Sequence, residues 1–192
     1  MSSKKSFCLR KELHFPPLSG IPEYYCSNSG HCDANYNPLR RWCLLAEILS
    51  VEKFVSLVLR TRDSEGRLVT VSLSLPDYTD VKEICKVGHT VAIMFPYRNT
   101  MVDGTVGIKL SSLERFEVIQ SCLDDLVKTS DKMKCVGCCS TCGGPTRLGC
   151  DRCQMPFCGK GCLSTSWKLD HKAECEPAQF IRRWRKMDWE AI

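Results

Sequence analysis

Cysteine is the residue type that stands out in this chain. There are 15 of them, and nine fall between Cys135 and Cys175. Within that block, eight ligand-type side chains run Cys139-x2-Cys142-x7-Cys150-x2-Cys153-x4-Cys158-x3-Cys162-x8-His171-x3-Cys175. Two four-coordinate Zn2+ sites need eight ligands, and thiolate and imidazole are donors that ion favours. A C-x-x-C pair reaches one ion from a tight turn, and Gly143 behind Cys142 permits the left-handed backbone such a turn uses. His171 and Cys175 are four apart, so a helix carries both on one face. A segment of about 40 residues with so few large apolar side chains cannot fold on a core alone. With four protein ligands at each ion, no position stays open for hydrolytic chemistry.

A rival register uses Cys135-x2-Cys138 in place of Cys139-x2-Cys142, which lengthens the loop to Cys150 from seven residues to eleven. Glycine follows Cys142 and not Cys138, so the later pair is preferred, and Cys135 and Cys138 read as spare thiols. Cys8, Cys26, His31 and Cys32 fit no ligand pattern and read as free residues. Cys43 and Cys85 lie on apolar runs and read as packed core thiols.

The segment from Cys139 to Cys175, with Trp167 inside it, resembles the MYND zinc finger at all eight ligand positions. The resemblance covers about a fifth of the chain. It implies two interleaved structural Zn2+ sites, one held by Cys139, Cys142, Cys158 and Cys162, the other by Cys150, Cys153, His171 and Cys175. It also implies a protein-interaction module, several of whose relatives bind short proline-containing peptides. Leu163 stands where the family usually has Gln, and Phe157 where it often has Tyr. Trp167 and His171 are four apart where three is also common, and a slipped register would offer Asp170 as an oxygen ligand.

The elements around this block divide the chain into an extended arm (1–39), a β region (40–119), a linker (120–138), the finger (139–175) and a basic amphipathic tail (176–192). Between Trp42 and Ile119 apolar residues alternate with polar ones as in strands. Asp63-Ser-Glu-Gly66 reads as a hairpin turn, and Asp80–Lys86 as two helical turns. Three strands, a short helix, then two or three strands is the order of a small OB-like barrel. The expected fold is therefore a mainly β OB-like barrel followed by a small α/irregular zinc-stabilised finger.

Charge and composition narrow the function. Residues 1–127 carry 15 basic and 15 acidic side chains, while residues 128–192 carry 12 and seven, the whole of the +5 net charge. Zinc loading brings that segment to about +2, since ligand thiols ionise. A nucleic-acid module normally shows a stronger basic bias. The absence of an apolar run after Met-Ser-Ser-Lys-Lys predicts no secretory signal, and no stretch is long enough for a membrane span. A cytoplasmic or nuclear location is expected. No enzyme is expected, because a methyltransferase domain needs more chain and a RING ligase places its histidine centrally. The reading is a protein–protein interaction adaptor, with a protein or peptide as partner, nucleic acid unlikely and no membrane. The alternative is nucleic-acid binding through the barrel, for which Trp42, Phe54, Phe95, Tyr97 and Phe116 are available.

Overall fold

The computed structural model describes residues 7–23, 30–35, 37–53, 55–75, 79–135 and 137–192. Cys26 and Phe54 lie outside them. The described chain forms two compact units, one of residues 11–123 with 188–192, the other of residues up to Arg10 with 124–187. No helix among the described residues is long and apolar enough to cross a membrane.

The first unit is mainly β. Its strands are β1 (Cys43–Lys53), β2 (Leu57–Asp63), β3 (Leu68–Leu73), β4 (Thr90–Met94), β5 (Arg98–Thr100), β6 (Val106–Leu110) and β7 (Phe116–Ile119), with helix α1 (Thr79–Ile84) between β3 and β4. They form one sheet in the order β5-β6-β3-β2-β1-β4-β7, antiparallel except where β6 runs parallel to β3. The two-residue period drives the assembly: Leu57, Leu59, Val69, Val71 and Leu73 alternate inward with Leu44, Ile48, Ile93 and Ile108. Ile21, from the expected arm, joins this core. The β2–β3 turn is fixed by Asp63, a buried carboxylate that accepts backbone N–H groups from Glu65 (3.0 Å), Arg67 (2.9 Å) and Leu18 (2.9 Å).

The expected barrel is corrected in one respect: the sheet does not close. β6 pairs with β3 and β7 pairs with β4, but β6 and β7 are successive pieces of one chain path separated by residues 111–115. That bend interrupts the ladder where closure would occur.

Residues 188–192, expected in a tail, form a strap on this β unit. Trp189 is 5% exposed, with its ring 4.6 Å from Phe15 and 5.7 Å from His14. Lys11 pairs with Glu190 at 2.7 Å, the Arg41 backbone N–H reaches Trp189 O at 3.1 Å, and the Arg41 guanidinium donates to Asp188 O and Ala191 O.

The second unit contains most of α2 (Leu123–Lys132), a ribbon of β8 (Leu148–Gly149) and β9 (Pro156–Phe157), then α3 (Lys160–Ser166), a π-helical turn (Trp167–His171) and α4 (Lys172–Trp184). Lys132 of α2 pairs with Asp170 (2.6 Å) and Glu174 (2.5 Å). Arg185 donates to Met133 O (2.5 Å) and Ser130 O (3.2 Å). Ala178, Ile181 and Trp184 bury one face of α4. The free thiols expected at Cys135 and Cys138 are instead joined in a disulfide. Gly137, at φ +86°, allows the tight turn that brings their Cα atoms to 5.6 Å.

Candidate functional site

Among the described residues, two groups of side chains are placed to hold metal ions. Cys139, Cys142, Cys158 and Cys162 form one; Cys150, Cys153, His171 and Cys175 form the other, and within each the donor atoms lie within 4.8 Å of one another. Local structure does the gathering. The Cys139 turn closes through Gly143 N–H to Cys139 O (2.9 Å), with Gly143 at φ +74°. The Cys150 turn closes through Gln154 N–H to Cys150 O (2.7 Å). Cys158 follows β9, Cys162 sits in the first turn of α3, and Cys175 lies one helical turn beyond His171.

The spacing of the donors suits a tetrahedral ion. Zn–S bonds of about 2.3 Å set sulfur–sulfur edges of about 3.8 Å, and the shorter Zn–N bond contracts a sulfur–nitrogen edge. Cys150 and Cys175 sulfurs are 3.9 Å apart and Cys153 Sγ is 3.6 Å from His171 Nε2. In the other group Cys142–Cys158 is 3.6 Å and Cys158–Cys162 is 3.3 Å. Burial opposes ionisation of Cys139, but backbone N–H groups of Cys142, Thr141 and Cys158 bring its thiol down to about 6. Burial likewise opposes ionisation of Cys150, which hydrogen bonds from His171 and the Cys153 and Arg152 backbones bring to about 6. Each group thus contains one thiol poised to become a thiolate, the form a metal takes.

The π-helical turn over Trp167–His171 puts His171, and not Asp170, beside Cys150, Cys153 and Cys175. A wide turn absorbs an extra residue within a helix. It leaves His171 fully buried, its ring 5.3 Å from Phe157 and 5.6 Å from Trp167. Asp170 is occupied by Lys132 and Ser166 instead of a donor set. His31 meets the Trp42 ring at 5.1 Å, and Cys32 Sγ lies 3.6 Å from the Tyr97 hydroxyl. Cys43 is fully buried, which raises its thiol, and burial pushes Cys85 up to about 11.

The β unit carries a second candidate site, on the sheet's outer face. The register aligns Ser50, Arg60, Thr70, Gly107 and Asn99 in one row across five strands. Arg62 and Lys109 stand in the flanking rows, opposite Leu68 and Ser72 respectively. Arg60 and Arg62 side chains are about half exposed, at 44% and 49%, and their ion pairs to Glu52 and Glu47 are long, 3.6 Å each. Such exposed pairs contribute little and exchange readily for another anion. Gly107 is buried, and its missing side chain leaves room for Met101: a Cβ there would lie 2.3 Å from Thr70 O and 2.4 Å from Met101 Cε. Gly107→Ala is expected to cost about 1–3 kcal/mol through overpacking, read as a lower urea midpoint at unchanged slope.

Beside this face lies a cleft of about 670 Å3, lined in part by Phe95, Tyr97, Asn99, Lys109, Glu114 and Arg115. It opens at the bend between β6 and β7. Phe95 has φ +52°, a left-handed conformation rare for a bulky residue. Its backbone N–H donates to Trp42 O at 2.9 Å, and the Trp42 indole N–H donates to Pro96 O at 3.0 Å. Of the aromatic residues singled out in the sequence, Trp42 and Phe116 are buried, while Phe95 and Tyr97 are half-buried at the cleft. Arg60, Arg62, Lys109 and Arg115 went unnoticed. The two-residue spacing of Arg60 and Arg62 on a strand was the signal for a shared face.

No protein-family model matches the sequence, and no curated protein matches it. Solved OB-fold structures are similar to the β part at low identity. The Stn1–Ten1 complex of S. pombe matches with TM-score 0.31 and 17% identity over 45% of this chain and 62% of that one. Schizosaccharomyces pombe Pot1pC bound to ssDNA gives 0.32 and 11% over 43% and 78%. A replication protein A heterotrimer bound to ssDNA gives 0.32 and 6% over 50% and 70%. The chain spans less than two thirds of the Stn1–Ten1 chain it matches. These neighbours stand against the expectation of a peptide-binding adaptor with nucleic acid an unlikely partner: two of the structures hold ssDNA, which is a property of those proteins, and the likeness to them is one of fold alone. The neutral total charge of residues 1–127 is a sum over a segment and does not say which face each charge occupies.

Proposed function

We propose that the β unit binds single-stranded nucleic acid across the outer face of β2, β3 and β6, and that the C-terminal unit is a MYND-type finger with two structural Zn2+. The observation that carries the first part is the exposed set of Arg60, Arg62 and Lys109 on β2 and β6, next to a cleft bearing Phe95 and Tyr97. Cations that track a backbone beside aromatic faces that stack bases are what single-strand recognition requires. The donor set of seven thiols and one imidazole, at tetrahedral edge lengths, supports the second part.

Fluorescence anisotropy of labelled single-stranded DNA and RNA with the metal-loaded full chain tests the reading. Combined Arg60→Ala, Arg62→Ala and Lys109→Ala substitution is expected to weaken binding at least tenfold, on the order of 1 kcal/mol or more in total, and to reduce the slope of log K against log salt by about 2. Unchanged affinity in that variant, or loss instead on substituting Arg182, Arg183 and Lys186, would place the contact elsewhere.

A further inference from the structure

We infer that the cleft at the sheet's unclosed seam takes one nucleobase turned out of the strand and selects guanine. The inference rests on the single-strand reading above and adds base preference to it.

The floor of the cleft is a ready stacking platform. The Arg115 guanidinium lies over the Phe95 ring, 5.4 Å from its centroid. Phe95 is held edge-on by Trp42, at 5.0 Å and 85°, and by its backbone bond to Trp42. Arg115 is exposed, so the far side of its guanidinium plane is open to a base. The volume is within the range of small-molecule sites.

The polar groups of the walls differ in what they offer. Asn99 donates its amide N–H to Tyr97 O at 2.9 Å, which directs its remaining acceptor oxygen elsewhere. Glu114 is exposed and acceptor-only when ionised. Lys109 donates to Thr100 O at 2.9 Å, and its ammonium has two further protons to give. The lining therefore offers a carboxylate able to accept two parallel N–H bonds and an ammonium able to donate to a carbonyl. Guanine alone among the four bases sets two adjacent donors, N1–H and N2–H, beside a carbonyl acceptor, O6. Adenine and cytosine turn a ring lone pair towards the carboxylate, and thymine or uracil offers it a single N–H between two carbonyls.

The test uses the metal-loaded full chain and thymidine oligonucleotides with one central position varied. A central guanine is expected to bind about tenfold tighter than adenine, cytosine or thymine, the scale of one bidentate contact. Hypoxanthine, which lacks the exocyclic amine, should fall between. Glu114→Gln should abolish the preference for guanine over the other three bases; its side chain is exposed, so folding is not at issue. Arg115→Ala should weaken all oligomers alike. Guanosine monophosphate, followed by NMR against cytidine monophosphate, probes the cleft apart from the strand face and should shift the Asn99 and Arg115 side-chain signals selectively. Equal affinity for every base, with the Arg60, Arg62 and Lys109 variant still defective, would sink the guanine inference and leave the single-strand reading standing. A guanine preference that survives in Glu114→Gln would also overturn it. No oligomer binding and no nucleotide-induced shift would overturn both.

Discussion

Removing metal from this chain is expected to unfold residues 124–187 and leave the β unit folded. The apolar content of the C-terminal unit is thin: Leu126, Met133, Met155, Phe157, Ala178, Ile181 and Trp184 are its main buried apolar side chains apart from cysteine. Its ribbon consists of two strands of two residues each. Structural zinc contributes an apparent ~10–16 kcal/mol per site at neutral pH, as much as or more than the whole stability of an ordinary domain, so chelation exceeds what this core can offset. Cys150→Ser should mimic chelation at one group, because the remaining three donors cannot complete a tetrahedral shell. Amide NMR in the presence of a chelator would show the peaks of 124–187 collapsing while those of β1–β7 persist. Native mass spectrometry should count two Zn2+ per chain. A stoichiometry of one, or a C-terminal unit that keeps its dispersion without metal, would refute the two-site reading.

The second large effect lies at Trp42. The side chain is fully buried, and its ring meets Phe95 (5.0 Å), Tyr97 (5.9 Å) and His31 (5.1 Å). Trp42→Ala is expected to cost about 3–5 kcal/mol by creating a cavity. It should also loosen the 95–97 segment by removing the indole donor to the Pro96 carbonyl, while the bond from Phe95 N–H to the main-chain carbonyl of residue 42 remains. Trp42→Phe refills most of the volume but leaves the Pro96 carbonyl without its donor, a loss of about 1–3 kcal/mol. Urea unfolding separates the two. If Ala and Phe variants are equally destabilised, the hydrogen bond rather than the ring volume governs the site. If neither affects oligonucleotide affinity where still folded, the cleft does not need the 95–97 geometry.

How much was readable from the residues follows from the range of each signal. The two cysteine and histidine clusters were legible because their elements are short turns and one helix, in which spacing determines direction. Strand positions were legible for the same reason: alternation at Leu57–Asp63 and Leu68–Leu73 is a property of neighbours. The unclosed seam was not, because whether residues 111–115 continue a ladder depends on partners on β3 and β4 far away in sequence. Nor was the cleft, which brings Phe95, Lys109 and Arg115 together across that seam. The disulfide between Cys135 and Cys138 looked like a pair of idle thiols, since a C-x-x-C spacing is shared by metal knuckles and by bridges. Trp189 was hidden in a basic, amphipathic-looking stretch; its partner, Phe15, is more than 170 positions away.

The strap has a consequence for how the protein is made. The β unit needs Trp189 to cover Phe15 and His14, and needs the carbonyls of 188–191 to meet Arg41. A ribosome delivers β1–β7 first, then every cysteine and the histidine of the two donor groups, and only afterwards residues 188–192. The nascent β unit therefore waits, with Phe15 and Arg41 uncovered, while some 60 further residues are added. Ion capture would compact the stretch that separates the sheet from its strap, shortening the loop that must close once residues 188–192 are made.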